Sequence, residues 1–142
     1  MLGDDNAVTT YYQKSIDLQL DAGSNPDFFG TIGLAYQYQK MGKKVDAEII
    51  LSKAITVFSD SSLKASNNYD RYVYAAAAFA MEGQKDKSLF YLQKAAAANW
   101  IDHLFAEKNP WFSNVVNDKG FKALMEQLKN KAADFKQKAE KQ

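Results

Sequence analysis

Residues 34–54, LAYQYQKMGKKVDAEIILSKA, and residues 75–95, AAAAFAMEGQKDKSLFYLQKA, are two copies of one pattern set 41 positions apart. Ala35, Tyr38, Gly42, Ala47, Leu51, Lys53 and Ala54 return as Ala76, Phe79, Gly83, Ser88, Leu92, Lys94 and Ala95. In each copy a glycine separates two runs of helical period, with small residues at fixed distances on either side. That arrangement predicts a helix, a tight turn and a second helix, a unit that buries its apolar face by stacking on copies of itself.

The first hairpin spans residues 26–58. Asn25 is the expected cap, Pro26 suits the first helical position, and Phe28, Ile32, Ala35 and Tyr38 follow at helical spacing until Gly42. The next helix carries Val45, Ile49, Ile50, Ala54, Ile55 and Phe58, which the spacing predicts as one broad buried face ending at the run Ser59 to Ser62. The second hairpin spans 68–98, capped by Asn67 or Asn68, with Tyr72, Ala75, Ala76 and Phe79 and then Leu89, Leu92, Ala95 and Ala96 facing inward. Its alanine runs are strong helix formers that let neighbouring helices approach closely.

Residues 99–117, with Trp100, Phe105, Trp111 and Phe112 around Pro110, leave the repeat and predict a linker with one or two short helical turns. Asp118 then caps a last helix over 118–137, striped by Phe121, Leu124, Met125, Leu128, Ala132 and Phe135 and followed by a fraying tail. Its lysines, Lys129, Lys131, Lys136, Lys138 and Lys141, alternate with Asp134 and Glu140 as a solvated face. Upstream, Gly3, Val8, Tyr12, Lys14, Ser15 and Ile16 align with the second half of the pattern after a shift of 39. Residues 4–20 are therefore expected to form the second helix of a truncated repeat, and the chain to be the end of a longer array.

Composition removes several function classes. The 142 residues contain no cysteine, which excludes disulfides, thiolate zinc sites and a thiol nucleophile. Eighteen Lys plus Arg against seventeen Asp plus Glu give a net charge of +1, too balanced for a nucleic-acid or anionic-membrane partner through bulk electrostatics. No apolar run approaches the roughly 20 residues a membrane span requires. The chain as given is expected to be soluble, in the cytoplasm or the periplasm. The one histidine, His103, stands beside Asp102 and is read as making a local hydrogen bond. No G-x-S-x-G frames a serine, no glycine run forms a phosphate loop, and Asp4 with Asp5 suits a helix N-terminus. The expectation is a protein that is not an enzyme and carries no cofactor or metal.

The pattern resembles the tetratricopeptide repeat. Leu34, Ala35, Tyr38, Gly42, Ala47, Leu51 and Ala54 match in one copy, and Tyr72, Ala76, Phe79, Gly83, Leu92 and Ala95 in the next. The departures are Thr31 and Ser88, where the family prefers a large residue and alanine, and a period longer than the family's 34 residues. HEAT-type repeats have a period near 40 but lack this Gly and Ala register. The segment from Leu89 through Asn109-Pro110-Trp111-Phe112 to Leu124 resembles the end-of-group segment of bacterial arrays.

The resemblance implies an all-α fold, a right-handed solenoid of antiparallel helix-turn-helix hairpins closed by a C-terminal capping helix. It also implies a protein–protein interaction scaffold, part of a larger bacterial protein, whose first helices line a concave groove for a peptide or protein segment. Mapped by spacing, that face comprises Phe29, Ile32, Gly33, Tyr36, Gln39 and Lys40 from one hairpin and Asp70, Val73, Tyr74, Ala77 and Met81 from the other. Phe29, Tyr36 and Tyr74 are the candidate anchors. A co-chaperone-type carboxylate clamp is not expected, because the positions that would hold its lysine and asparagine carry Ile32, Tyr36 and Tyr74. The alternatives are a structural spacer, self-association through the open N-terminal helix, and an enzyme with an unrecognised site, for which His103→Ala is the cheapest test.

Overall fold

The computed structural model describes residues 28–58 and 69–140. Among them the fold is all-α, with no strand: α1 (Phe28–Lys40), α2 (Lys44–Phe58), α3 (Asp70–Met81), α4 (Lys85–Ala97), α5 (His103–Lys108), a 3-10 turn (Pro110–Phe112) and α6 (Lys119–Glu140). None of these helices is long and apolar enough to cross a membrane. The chain divides into two compact units, Met1–Lys64 and Ala65–Gln142. The half copy over 4–20, the cap at Asn25 with Pro26, and Asn67 and Asn68 lie outside the described residues; α3 has Tyr69 at its N-cap position with no side-chain cap.

The 41-residue register is written in the backbone. Gly42 and Gly83 both sit at φ 78°. Gly42 N–H donates to the Gln39 carbonyl at 3.1 Å and Lys43 N–H to Tyr38 at 2.8 Å, while Gly83 donates to Ala80 at 3.0 Å and Gln84 to Phe79 at 2.9 Å. These are Schellman turns, in which a left-handed residue lets the last carbonyls of a helix find donors. A third ends α4, where Asn99 takes φ 76° and Trp100 N–H donates to Ala95 at 3.0 Å. Asparagine tolerates that conformation better than other residues bearing a Cβ.

In the first unit α1 packs on α2, burying Ala35 from one helix and Ala47, Leu51 and Ala54 from the other. The broad buried face expected for α2 is narrower than its spacing suggests. Val45 is 70% exposed and Ile49 50% exposed, whereas Ile50 and Ile55 are half-buried. At about 100° per residue Val45 and Ile49 project well away from Leu51, so the small-residue side takes the helix crossing and they face solvent.

In the second unit α3 is buried almost all round, from Val73 through Ala75 to Met81. It packs on α4 and on the 3-10 turn, and α6 packs on α4 and α5. Ser88, at the position of Ala47, is fully enclosed, and its hydroxyl donates to the Ala76 carbonyl at 2.8 Å. Serine is therefore tolerated where alanine was expected, because its one added polar atom has a partner.

Short polar side chains start each later element. Asp102 Oδ1 accepts from Phe105 N–H at 3.2 Å, Asn109 Oδ1 from Trp111 N–H at 2.9 Å, and Asp118 Oδ1 from Gly120 and Phe121 N–H at 2.8 and 3.2 Å. Gly120 lies close to α4: a Cβ there would stand 3.1 Å from Leu89 Cδ1. The last helix continues to Glu140, past the expected end at 137. Its stripe is buried only through Leu128; Ala132 is half-buried and Phe135 is 45% exposed.

Candidate functional site

The face expected on α1 is partly open. Phe29 is 51% exposed, Lys40 is exposed, and Gly33, Tyr36 and Gln39 are half-buried, while Ile32 is fully buried. Tyr36 and Lys40, one turn apart, form a pair in which the Lys40 ammonium stands 5.8 Å from the ring centroid. Such contacts stabilise a pair at the surface by about 0.5–1 kcal/mol.

The equivalent face on α3 is different. Asp70 is exposed and Tyr74 half-buried, but Val73, Ala77 and Met81 are buried. The protein's own chain covers this side: Trp111 lies against Tyr74 with ring centroids 6.5 Å apart, and the Asn114 side chain donates to the Ala80 carbonyl at 3.0 Å. Trp111 is itself held by Phe105, edge to face at 6.4 Å, and Phe105 by Phe112 at 6.2 Å. Helical spacing places Tyr74, Ala77 and Met81 together but carries no information about the segment that folds back over them. Asn-Pro-Trp at 109–111 was the available signal, a capped turn inserted among aromatic residues.

His103 behaves as expected, with a local contact from Nδ1 to Glu107 Oε1 at 3.2 Å, although its partner is one turn on and Asp102 serves as the cap. Glu107, Val116, Phe121, Lys122, Met125 and Glu126 line an open cavity of about 320 Å³. Among the described residues no three His, Cys, Asp or Glu side chains gather as metal ligands would.

One cluster escaped the sequence reading. Across α3 and α4, Tyr91 stacks on Phe79 at 5.4 Å and 15°, meets Phe90 edge to face at 5.4 Å and 87°, and faces Tyr72 at 6.5 Å; Phe79 is buried, Tyr72 and Tyr91 half-buried and Phe90 exposed. The Lys94 ammonium stands 4.9 Å from the Phe90 centroid, 5.8 Å from Tyr72 and 6.0 Å from Tyr91, and Lys87 stands 5.5 Å from Phe79. The signal was present as Lys87, Phe90, Tyr91 and Lys94, spaced three, four and seven apart along one stripe of α4. No family model, curated protein or solved structure matches the chain.

Proposed function

We propose that this protein is a non-catalytic interaction module built from tetratricopeptide-like hairpins, which captures a peptide or protein segment on the faces of its first helices. The observation that carries this reading is the repeat itself. Two turns 41 residues apart share the same left-handed glycine and the same hydrogen bonds, and the positions on either side, Ala35 and Ala76, Ala47 and Ser88, Leu51 and Leu92, Ala54 and Ala95, are buried in both copies. Repeated hairpins of this kind present their first helices as a binding surface. In the first unit the contact residues are Phe29, Tyr36, Gln39 and Lys40 on α1; in the second, taken by itself, they are the exposed Asp70 and the half-buried Tyr74 on α3. Ile32 on α1, and Val73 and Met81 on α3, are buried within their own units and are not contact residues.

Selection from a peptide-display library against the immobilised full chain tests the reading. Enriched peptides are expected to lose at least about tenfold in affinity for Tyr36→Ala and Phe29→Ala, the magnitude of an aromatic hot spot. The melting temperature of each variant is measured alongside. Selected peptides that bind both variants as tightly as the parent chain would refute the assignment.

A further inference from the structure

Phe90 and the two lysines of the cluster are not needed to build a hairpin. Shifted by 41 residues, Tyr72, Phe79, Phe90, Tyr91, Lys87 and Lys94 correspond to Thr31, Tyr38, Ile49, Ile50, Asp46 and Lys53. Phe90 is 51% exposed and Ile49 50% exposed, so neither copy uses that position to close its core. The charge changes with the rings: at these positions the first copy carries one carboxylate and one ammonium and the second two ammoniums, while Asp86, exposed one turn before Phe90, replaces Val45, so the second face keeps a net charge of +1 against 0 in the first. Among the described residues neither Lys87 nor Lys94 has a carboxylate partner.

Both lysines are held instead by rings rooted in the fold. Phe79 is buried, Tyr91 stacks on it, and Phe90 leans on Tyr91, so the exposed ring is braced from below. The Lys94 ammonium lies closest to Phe90, with the Tyr72 and Tyr91 centroids about 1 Å farther away. A surface ordered before binding loses little side-chain freedom when a partner arrives, and aromatic rings with cations are the residue types that dominate interfaces. Lys87 and Lys94 are seven residues apart, which separates them by about 10.5 Å along α4 with Phe90 between them.

We infer that this face is a second docking surface, separate from the first-helix face, and that its occupant is an acidic segment of a partner polypeptide. The complementary segment places an apolar side chain on Phe90 and a carboxylate at each lysine. Charge complementarity selects that partner: two unneutralised ammoniums flank an apolar centre, while the same positions of the first hairpin, with Asp46 in place of Lys87, select against it.

The test uses the full chain and two labelled helical peptides, one with glutamates seven residues apart flanking a leucine, the other with lysines in their place. Fluorescence anisotropy is expected to show the acidic peptide binding at least about tenfold tighter, with affinity falling as salt is raised. Lys87→Asp, which restores the residue of the first copy, and Lys94→Met, which keeps the stem and removes the charge, are each expected to reduce binding at least about tenfold. Melting curves of both variants are expected to stay close to that of the parent. Equal affinity for the two peptides, absence of binding, or acidic-peptide binding that survives Lys94→Met would overturn the inference. So would an oligothymidine that binds more tightly and shifts the amide resonances of residues 87–94, since that assigns the patch to nucleic acid.

Discussion

Replacing Gly83 by alanine tests the feature on which the fold rests. The glycine sits at φ 78°, and a Cβ built on it has nothing within 4 Å. Steric contact with neighbours therefore contributes nothing, and the cost is the left-handed backbone alone, about 1–2 kcal/mol for a residue with a Cβ. Alanine also restricts the unfolded chain, which offsets about 0.4–1 kcal/mol of that. The expected net loss is about 1 kcal/mol, or a fall of roughly 4–8 °C in melting temperature for a unit of this size. Gly83→Asn is expected to lose less, because Asn99 already occupies the same backbone region at the end of α4. Gly42→Ala, at the same φ and with equally open space, is expected to match Gly83→Ala. Urea unfolding followed by circular dichroism measures all three. A neutral Gly83→Ala, or an asparagine variant no more stable than the alanine one, would show that the turn is not held as described.

Ser88→Ala removes the hydroxyl that bonds the Ala76 carbonyl and is expected to cost about 1 kcal/mol in the same assay, whereas Ser88→Val forces a larger side chain into an enclosed crossing and is expected to cost about 1–3 kcal/mol. Asp118→Ala deprives the first turn of α6 of its acceptor and is expected to cost about 1 kcal/mol, with Asp118→Asn retaining most of the stability. Trp111→Ala removes a buried ring from between Tyr74 and Phe105 and is expected to destabilise the second unit by about 3–5 kcal/mol, read from its urea midpoint.

The two hairpins, their turns and the cap at Asp118 were legible because each depends on local chemistry: a residue that accepts positive φ, small side chains at a crossing, an oxygen facing free amides. The outward position of Val45 and Ile49 was not. Periodicity groups apolar residues three and four apart, but it does not say which side of a wide stripe the neighbouring helix chooses. That choice follows the small residues Ala47 and Ala54, which let the helices approach. Phe135 misled for a related reason, since among the described residues the stripe of α6 is buried only as far as Leu128. The cover over α3 was illegible because Trp111 and Asn114 reach it from more than 30 positions away, a distance at which no spacing rule operates.

The burial of α3 bears directly on where each hairpin can meet a partner. In the first unit α1 keeps Phe29, Tyr36 and Lys40 accessible, and the outer side of α2 is a mixed strip of Val45, Ile49, Ser52 and Thr56. In the second, Trp111 and the segment after it cover one side of α3, α4 covers another, and the run Ala75–Ala78 is enclosed. On α4 of this hairpin Phe90 and Lys87 are exposed and Lys94 is half-buried. A repeat preserved in backbone and core thus differs in its exposed chemistry: Ile49 and Asp46 on the second helix of the first copy are replaced by Phe90 and Lys87 in the second. Exchanging residues between the copies separates core from surface. Lys87→Asp and Phe90→Ile, which convert the second face towards the first, should leave folding intact and change only what is bound, because the first copy already folds with those residues.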